Sequence, residues 1–131
     1  MPLLGFTKFK GKLLDGSKKQ TIRKPRKNPI KPADKLYIYW KLRTKECKKL
    51  GEAIVTKVER KRFGDLTEGD AIKDGFEPKC ISGIDISALG QLKTALLIMH
   101  GYDNISERTE FDIITFEWTK FEVDYVTVNM C

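Results

Sequence analysis

Apolar and polar positions alternate along several short segments of the chain, and this alternation predicts a sheet-rich domain. Lys35 to Lys41 is rich in Tyr, Ile and Trp, and Glu52 to Arg60 is β-branched at its centre. Both segments are therefore expected to be strands, as is the shorter segment Gln20 to Lys24. Phe111 to Trp118 and Phe121 to Val128 fit the last two strands.

Other segments carry helix signals. Apolar residues recur at spacings of three and four from Ala88 to Met99, which is typical of a helix packed on a core, and Gly101 ends it. Thr67 can cap a shorter helix, with Asp70 three residues further on. Strands with inserted helices predict an α+β fold, a small partly closed β-barrel with about two helices. Residues 1–131 are expected to form a single domain.

Leu3 to Phe9 is expected to be an edge strand leading into a helical turn that Gly16 closes. Three prolines between residues 24 and 33 break regular structure, so this segment is predicted to be an extended loop.

Composition excludes several classes of protein. The chain has no run of 18 apolar residues and no apolar signal region at its beginning, so a cytoplasmic protein that neither enters nor crosses a membrane is expected. Cys47, Cys80 and Cys131 form no C-x-x-C pair, and the chain has one histidine, which speaks against a zinc site. We expect free thiols, no metal and no cofactor.

Charge is distributed very unevenly. Residues 1–62 hold 20 Lys and Arg against 5 Asp and Glu, whereas residues 63–131 hold 5 against 13, within a net charge of +7. The positive charge is densest in residues 18–35, which contain one acid and the basic residues Lys18, Lys19, Arg23, Lys24, Arg26, Lys27, Lys31 and Lys35. Such a run favours binding of a polyanion, unless acids of the second half fold over it and neutralise it.

The first part of this basic run also offers candidate chemistry. If Gln20 to Lys24 is a strand, Lys19, Thr21 and Arg23 share one face. An ammonium, a hydroxyl and a guanidinium close to one turn can receive an anion or a polarised carbonyl.

The segment Gly16 to Arg23 reads G-x-K-x-x-T-x-R and resembles the start of the ASCH domain, a relative of the PUA domains of RNA-modifying proteins. Leu66 to Phe76 is similar to that family's short helix ending in an acidic-Gly-Phe turn. Pro32 to Trp40 is similar to its Gly-Asp segment followed by an apolar strand, although Ala33 stands in the place of the Gly. The resemblance covers roughly Leu4 to Trp118.

The resemblance implies a cleft between the Gly16–Arg23 segment and the turn at Asp74, with three possible uses: two kinds of catalysis, and binding. Some bacterial ASCH proteins are amidohydrolases of acetylated cytidine that use a Lys, a Thr and a Glu. Carried over by motif, these fall on Lys18 as base, Thr21 as nucleophile and Asp74, which is shorter than Glu by one methylene, about 1.5 Å. Lys18 and Asp74 could also act as proton donor and acceptor in a ribonuclease.

Other ASCH branches bind a ligand or RNA, and this use is the first expectation for the chain. Tyr37 and Tyr39 share one face of their strand and could stack on bases of single-stranded RNA, whereas Leu36, Ile38 and Trp40 are expected in the core. The residues expected to contact RNA or a nucleotide-like ligand are Lys19, Arg23, Lys24, Arg26, Lys27, Lys31, Tyr37 and Tyr39.

Structural alternatives stand beside these site assignments. Asp74 could form an ion pair with Lys18 or Arg23 that merely pins two segments together. His100, next to the glycine that ends its helix, is interpreted as a helix-terminal cation. A protein-interaction domain is the alternative for the whole chain.

Overall fold

The structure is a computed structural model, and it describes residues 3–6, 8–42 and 44–121. Seven strands lie in this part of the chain: β1 (Leu3–Phe6), β2 (Gln20–Arg23), β3 (Lys35–Trp40), β4 (Lys48–Arg62), β5 (Lys79–Ile81), β6 (Ile84–Ile86) and β7 (Glu110–Phe121). Its three α-helices are α1 (Lys10–Leu14), α2 (Glu68–Asp74) and α3 (Ala88–His100). Single 3₁₀ turns follow β4 and α3 at Phe63–Asp65 and Tyr102–Asn104.

Five strands form one sheet in the order β1-β3-β4-β7-β2, with β1 at an edge as expected. β1 runs parallel to β3, and β3 runs antiparallel to β4 with a register shift after Ile38. The predicted strand Phe121 to Val128 lies outside the described residues except for Phe121, which ends β7.

Three differences from the expected elements stand out. β4 begins at Lys48 rather than at Glu52, because Lys48 and Lys49 pair with Trp40 and Tyr39 across the register shift. β5 and β6 form a separate two-stranded sheet that the sequence reading missed. Within α3, the buried row is Ala88, Leu92 and Leu96, whereas Met99 is 63% exposed.

The expectation of three free thiols is wrong for Cys47, which is buried and disulfide-bonded. Cys80 is a free, exposed thiol on β5. Cys131 lies outside the described residues.

The chain divides into two compact units. Unit 1 comprises Met1–Lys19, Arg26–Val58 and Ile114–Cys131, and unit 2 comprises Gln20–Pro25 and Glu59–Ile113. The core of unit 1 comes from β1, α1, β3, β4 and β7, and its members are Leu4, Phe6, Leu13, Ile30, Leu36, Ile38, Leu50, Ala53, Val55, Ile114 and Phe116. Trp40 packs against this core, as expected for the apolar face of β3.

Unit 2 is built around the contact between α2 and α3. Thr67 and Asp70 form the predicted capping box at the start of α2, with each side chain bonded to the backbone N–H of the other residue. Glu68 joins the two helices, because its carboxylate accepts hydrogen bonds from the backbone N–H groups of Ala88 and Leu89, at 3.0 and 2.8 Å. A carboxylate at this place also complements the positive end of α3.

No α-helix among the described residues is long and apolar enough to cross a membrane.

Candidate functional site

Thr21 and Arg23 lie on β2 in unit 2, and the structure joins them directly. The Arg23 Nε–H donates to Thr21 Oγ1 over 2.9 Å. Thr21 is 3% exposed, and Arg23 is half-buried. Residues two apart share a face of a strand, so the bond agrees with the predicted alternation. It fixes the plane of the guanidinium and places a positive charge beside the hydroxyl oxygen.

Asp74 ends α2 in the same unit, at a turn that sets its position closely. Gly75 has a φ of +116°, and Phe76 N–H bonds to the Ala71 carbonyl while Gly75 N–H bonds to that of Ile72. This pair of bonds is a Schellman motif, in which glycine supplies the left-handed residue. Asp74 and Phe76 are both buried, at 8% and 9% exposure.

α2 packs against β2, and so the element carrying Asp74 is held next to the one carrying Thr21 and Arg23. One described bond between them runs from Gln20 Nε2 to the Asp70 carbonyl, at 3.1 Å. Asp70 in turn bonds the Lys61 ammonium at 3.0 Å. The predicted cleft that joins Asp74 to Lys18 involves both units and stays a prediction.

Lys18 belongs to unit 1 and is 3% exposed, which is rare for a lysine. Its ammonium lies 5.5 Å from the ring centre of Phe6 and 5.3 Å from that of Phe9. Aromatic faces attract a cation and compensate part of its desolvation. Its backbone is also fixed, since Lys18 N–H bonds to the Lys12 carbonyl and the Trp118 indole N–H donates to the Lys18 carbonyl. The sequence reading missed both aromatic partners, although Phe6 and Phe9 precede the motif by few residues.

The loop between β2 and β3 is irregular, as predicted, and three of its basic side chains project into solvent. We call residues 26–31 the basic loop. Arg26, Lys27 and Lys31 are exposed, whereas Ile30 is buried in the core of unit 1 and anchors the loop. Arg26 Nη2 donates to the Leu3 carbonyl over 2.8 Å.

The other predicted contact residues differ in how far they are engaged. Lys19 lies 3.6 Å from the Glu117 carboxylate, and both side chains are more than half exposed, so the pair is weak. Lys24 is half-buried in unit 2. Tyr39 is half-buried on β3, on the face of the strand opposite the buried Ile38.

Tyr37 lies in a cluster of charges that the sequence reading missed. The ammonium groups of Lys49 and Lys35 lie 4.7 and 5.8 Å from its ring centre. Glu52 binds both lysines, at 2.8 Å from Lys35 and 3.5 Å from Lys49. The hydrogen bond between Lys35 and Glu52 raises the pKa of Lys35 and lowers the pKa of Glu52. A base that stacks on Tyr37 therefore has to compete with the two lysines. The register of Lys49 and Glu52 on β4 with β3 could have revealed the cluster.

Comparison with solved structures identifies the fold. The chain aligns with the ASCH domain from Lactobacillus crispatus JV V101 at a TM-score of 0.58 and 12% sequence identity, over 89% of this chain and 79% of that one. This chain has the ASCH fold. It also aligns with protein EF3133 from Enterococcus faecalis V583, of the family DUF984, at a TM-score of 0.55 and 12% identity, over 90% of this chain and 74% of that one.

The ASCH resemblance and the α+β class predicted from the sequence are thereby confirmed. No family model matches the sequence, and no curated protein matches it. At 12% identity the likeness carries over the fold and not the activity.

Proposed function

We propose that this ASCH-like domain binds single-stranded RNA through the basic loop. The observation that carries the proposal is the state of Arg26, Lys27 and Lys31, which are exposed and form no ion pair with a carboxylate of the described residues. Three exposed cations within six residues of one loop, none of them in a described ion pair, attract a phosphate backbone, because each phosphate that they neutralise releases condensed counterions.

The alternative, in which acids neutralise the run, holds for two of its members, because Glu117 of the second half pairs with Lys19 and Glu52 pairs with Lys35. Asp70 and Asp112 of the second half pair with Lys61 and Arg60, and no described ion pair includes Arg26, Lys27 or Lys31. The cations of the basic loop are thus left to an external partner.

The tyrosines of β3 add a second element to the proposal. β3 begins four residues after the basic loop, so Tyr37 and Tyr39 lie in the same unit as Arg26, Lys27 and Lys31. Phosphate contacts by the loop and stacking of bases on exposed ring surface are the two components of most single-strand binding. The proposal therefore includes an RNA strand with its phosphates on the basic loop and its bases on Tyr37 and Tyr39.

Fluorescence anisotropy with a labelled single-stranded RNA, titrated at several salt concentrations, tests the proposal. The variant with Arg26→Ala, Lys27→Ala and Lys31→Ala should bind all sequences more weakly. Its plot of log affinity against log salt should be flatter by about 2, because each lost phosphate contact on a single strand removes about 0.7 from the slope.

A matched variant separates a local site from general charge. The acidic half has three exposed basic residues that suit this purpose: Lys73, Lys79 and Arg108. Changing them to Ala removes the same number of positive charges as the basic-loop variant. This control should keep the wild-type slope. Equal losses in both variants, or no binding by the wild type at micromolar protein and low salt, would refute RNA binding through the basic loop.

The second candidate is the hydrolysis of an amide on an acetylated cytidine-type nucleoside. Its support is the burial of Lys18, Thr21 and Asp74, each less than 9% exposed, since buried lysine and aspartate side chains are uncommon and cluster at functional sites. The Arg23 guanidinium beside Thr21 Oγ1 also favours negative charge on that oxygen.

Release of acetate from N4-acetylcytidine tests this candidate. Thr21→Ala should abolish the release and Thr21→Ser should retain part of the rate, because the serine keeps a hydroxyl. A wild-type rate equal to the background would exclude it. Gel analysis of the RNA recovered from the binding assay tests the ribonuclease alternative, which requires shortened products.

A further inference from the structure

Three aromatic rings of β7 lie one against the next, from the core of unit 1 to its surface. Phe116 is fully buried, and its ring meets that of Trp118 edge to face, with the ring centres 5.8 Å apart. Trp118 is half-buried, and its ring is stacked on that of Phe121, with the ring centres 4.6 Å apart and an interplanar angle of 18°. Phe121 is 44% exposed, so the outermost ring of this series presents part of its surface to solvent.

The two outer rings are also held by the segment that carries the family motif. The Trp118 indole N–H donates to the Lys18 carbonyl over 3.2 Å, which fixes the plane of the indole. A Cβ at Gly16 would lie 3.3 Å from Phe121 Cζ, so this edge of the phenyl ring lies against the backbone of the Gly16 turn. We call the stacked pair of Trp118 and Phe121 the aromatic platform. Its exposed ring is supported by Trp118 on one face and by Gly16 at one edge.

The exposed ring does not belong to a wide apolar surface. The described chain neighbours of Gly16, Trp118 and Phe121 are exposed polar residues: Asp15, Ser17, Glu117, Thr119 and Lys120. Docking of an apolar peptide or of a membrane calls for a contiguous apolar patch of several hundred square ångströms. One exposed ring in polar surroundings instead suits a ligand that offers one planar ring.

Charge narrows the class of that ligand. Unit 1, which contains both the aromatic platform and the basic loop, has 16 Lys and Arg against 7 Asp and Glu. The field of such a unit attracts polyanions and raises their local concentration. Planar rings carried on a polyanion are the bases of a nucleic acid, and stacking of bases on aromatic side chains is how single strands are usually held.

We propose that Phe121, supported by Trp118, is a stacking site for one base of a single-stranded RNA. The inference rests on the proposed function for its ligand, and it adds to the tyrosines of β3 a stacking residue on another strand of unit 1. The ring is already held in place by Trp118 and Gly16, so little side-chain freedom is lost when a base binds. Every base has a π-face, and so this site accepts any of the four bases.

Photo-cross-linking tests whether a base reaches the platform. A single-stranded oligouridylate that contains 5-iodouridine is irradiated with the protein, and mass spectrometry identifies the modified residue. The iodinated base cross-links efficiently to an aromatic side chain on which it is stacked. We expect the cross-link at Phe121 or Trp118, and this experiment on the wild type does not depend on the folding of any variant.

Phe121→Leu separates stacking from packing, because leucine keeps an apolar side chain against Trp118 but has no π-face. In the anisotropy assay, its dissociation constant for RNA should rise about tenfold. Its salt slope should equal that of the wild type, because no phosphate contact is lost. The matched control is Tyr102→Leu, which removes a ring of unit 2 that is 65% exposed and should leave the affinity unchanged.

The outcomes distinguish the platform from the basic loop. RNA binding that depends on the basic loop, with cross-links only at other residues or with equal affinities of Phe121→Leu and the wild type, would overturn the platform and leave the loop intact. An equal loss of affinity in Tyr102→Leu would also overturn the platform. A cross-link at the platform and weaker binding by Phe121→Leu, with an affinity insensitive to the basic-loop triple, would support the platform and refute the loop. A wild type that binds no RNA would refute both.

Discussion

Replacing Ala33 by glycine should stabilise the protein, because Ala33 has a backbone conformation that favours glycine. Lys31 to Asp34 form a turn in which Asp34 N–H bonds to the Lys31 carbonyl over 3.1 Å, with Pro32 second and Ala33 third at a φ of +74°. Proline second and a positive φ third define a type II turn, whose third position is usually Gly. Ala33 N–H also bonds to the Val55 carbonyl at 2.8 Å, so the turn is tied to β4 and cannot relax freely.

The magnitude follows from two opposing terms. A left-handed conformation costs a residue with a Cβ about 1–2 kcal/mol. The glycine variant loses about 0.4–1 kcal/mol of this gain, because glycine raises the entropy of the unfolded state. Ala33 is exposed, so its methyl group contributes little burial. The net expectation is that the free energy of unfolding rises by about 0.5–1 kcal/mol, which corresponds to a thermal midpoint raised by about 2–4 °C.

Urea unfolding followed by tryptophan fluorescence measures this change, since Trp40 and Trp118 pack against the core of unit 1. The matched control is Ala95→Gly on α3, where helical geometry makes glycine less favourable by about 1 kcal/mol. The two variants should therefore change the free energy of unfolding in opposite directions. A loss of stability in Ala33→Gly as large as that of the control would refute strain at Ala33.

Two further changes test other parts of the fold. Gly51→Ala should lower the free energy of unfolding by about 1–3 kcal/mol, because a Cβ there overlaps the Lys120 carbonyl oxygen and lies 3.1 Å from the Trp118 ring. The control Gly11→Ala in α1 meets no atom within 4 Å and should raise it. Equal denaturation midpoints for the two variants would contradict this. The lowered pKa of His100 means that its contribution to stability is present above the unfolded value of about 6.5 and is lost as the pH falls through the folded value. Unfolding measured from pH 7.5 to 5 should show a steeper loss in the wild type than in His100→Gln, and parallel curves would show that the ring is not held neutral.

Local patterns predicted the elements that depend on a few neighbouring residues. The Thr67–Asp70 capping box and the left-handed Gly16, at a φ of +78°, follow from residue types at short spacing. The limits of α3 could be read in the same way from its apolar period and Gly101. The period specifies which face of a helix is buried but not how far the core extends along it, which is why Met99 is exposed.

The elements that were missed depend on pairing or on distant partners. β5 and β6 are three residues each, too short for a clear alternation, and their signal is the turn at Ser82 and Gly83, where both φ angles are positive as in a type I′ turn. The early start of β4 depends on its register with Tyr39 and Trp40. Neither the spacing of Lys49 nor that of Glu52 shows that both lie beside Tyr37.

The motif that suggested the family shows why fold was easier to predict than function. Gly16 takes a left-handed turn beside Phe121, Lys18 packs on Phe6 and Phe9, and the Arg23 guanidinium bonds to the Thr21 hydroxyl. Each residue thus has a structural role inside its own unit, and the fold alone is a sufficient reason for the spacing G-x-K-x-x-T-x-R.

A ligand is not needed to explain these four residues, and so the motif by itself does not favour a binder over an enzyme. Arg26, Lys27 and Lys31 differ in this respect, because no described ion pair uses their charges and their burial is small. Like charges that no carboxylate offsets repel one another and destabilise the compact state, which is why we propose an external anion for them. The basic loop therefore carries the functional inference, and the motif carries the fold.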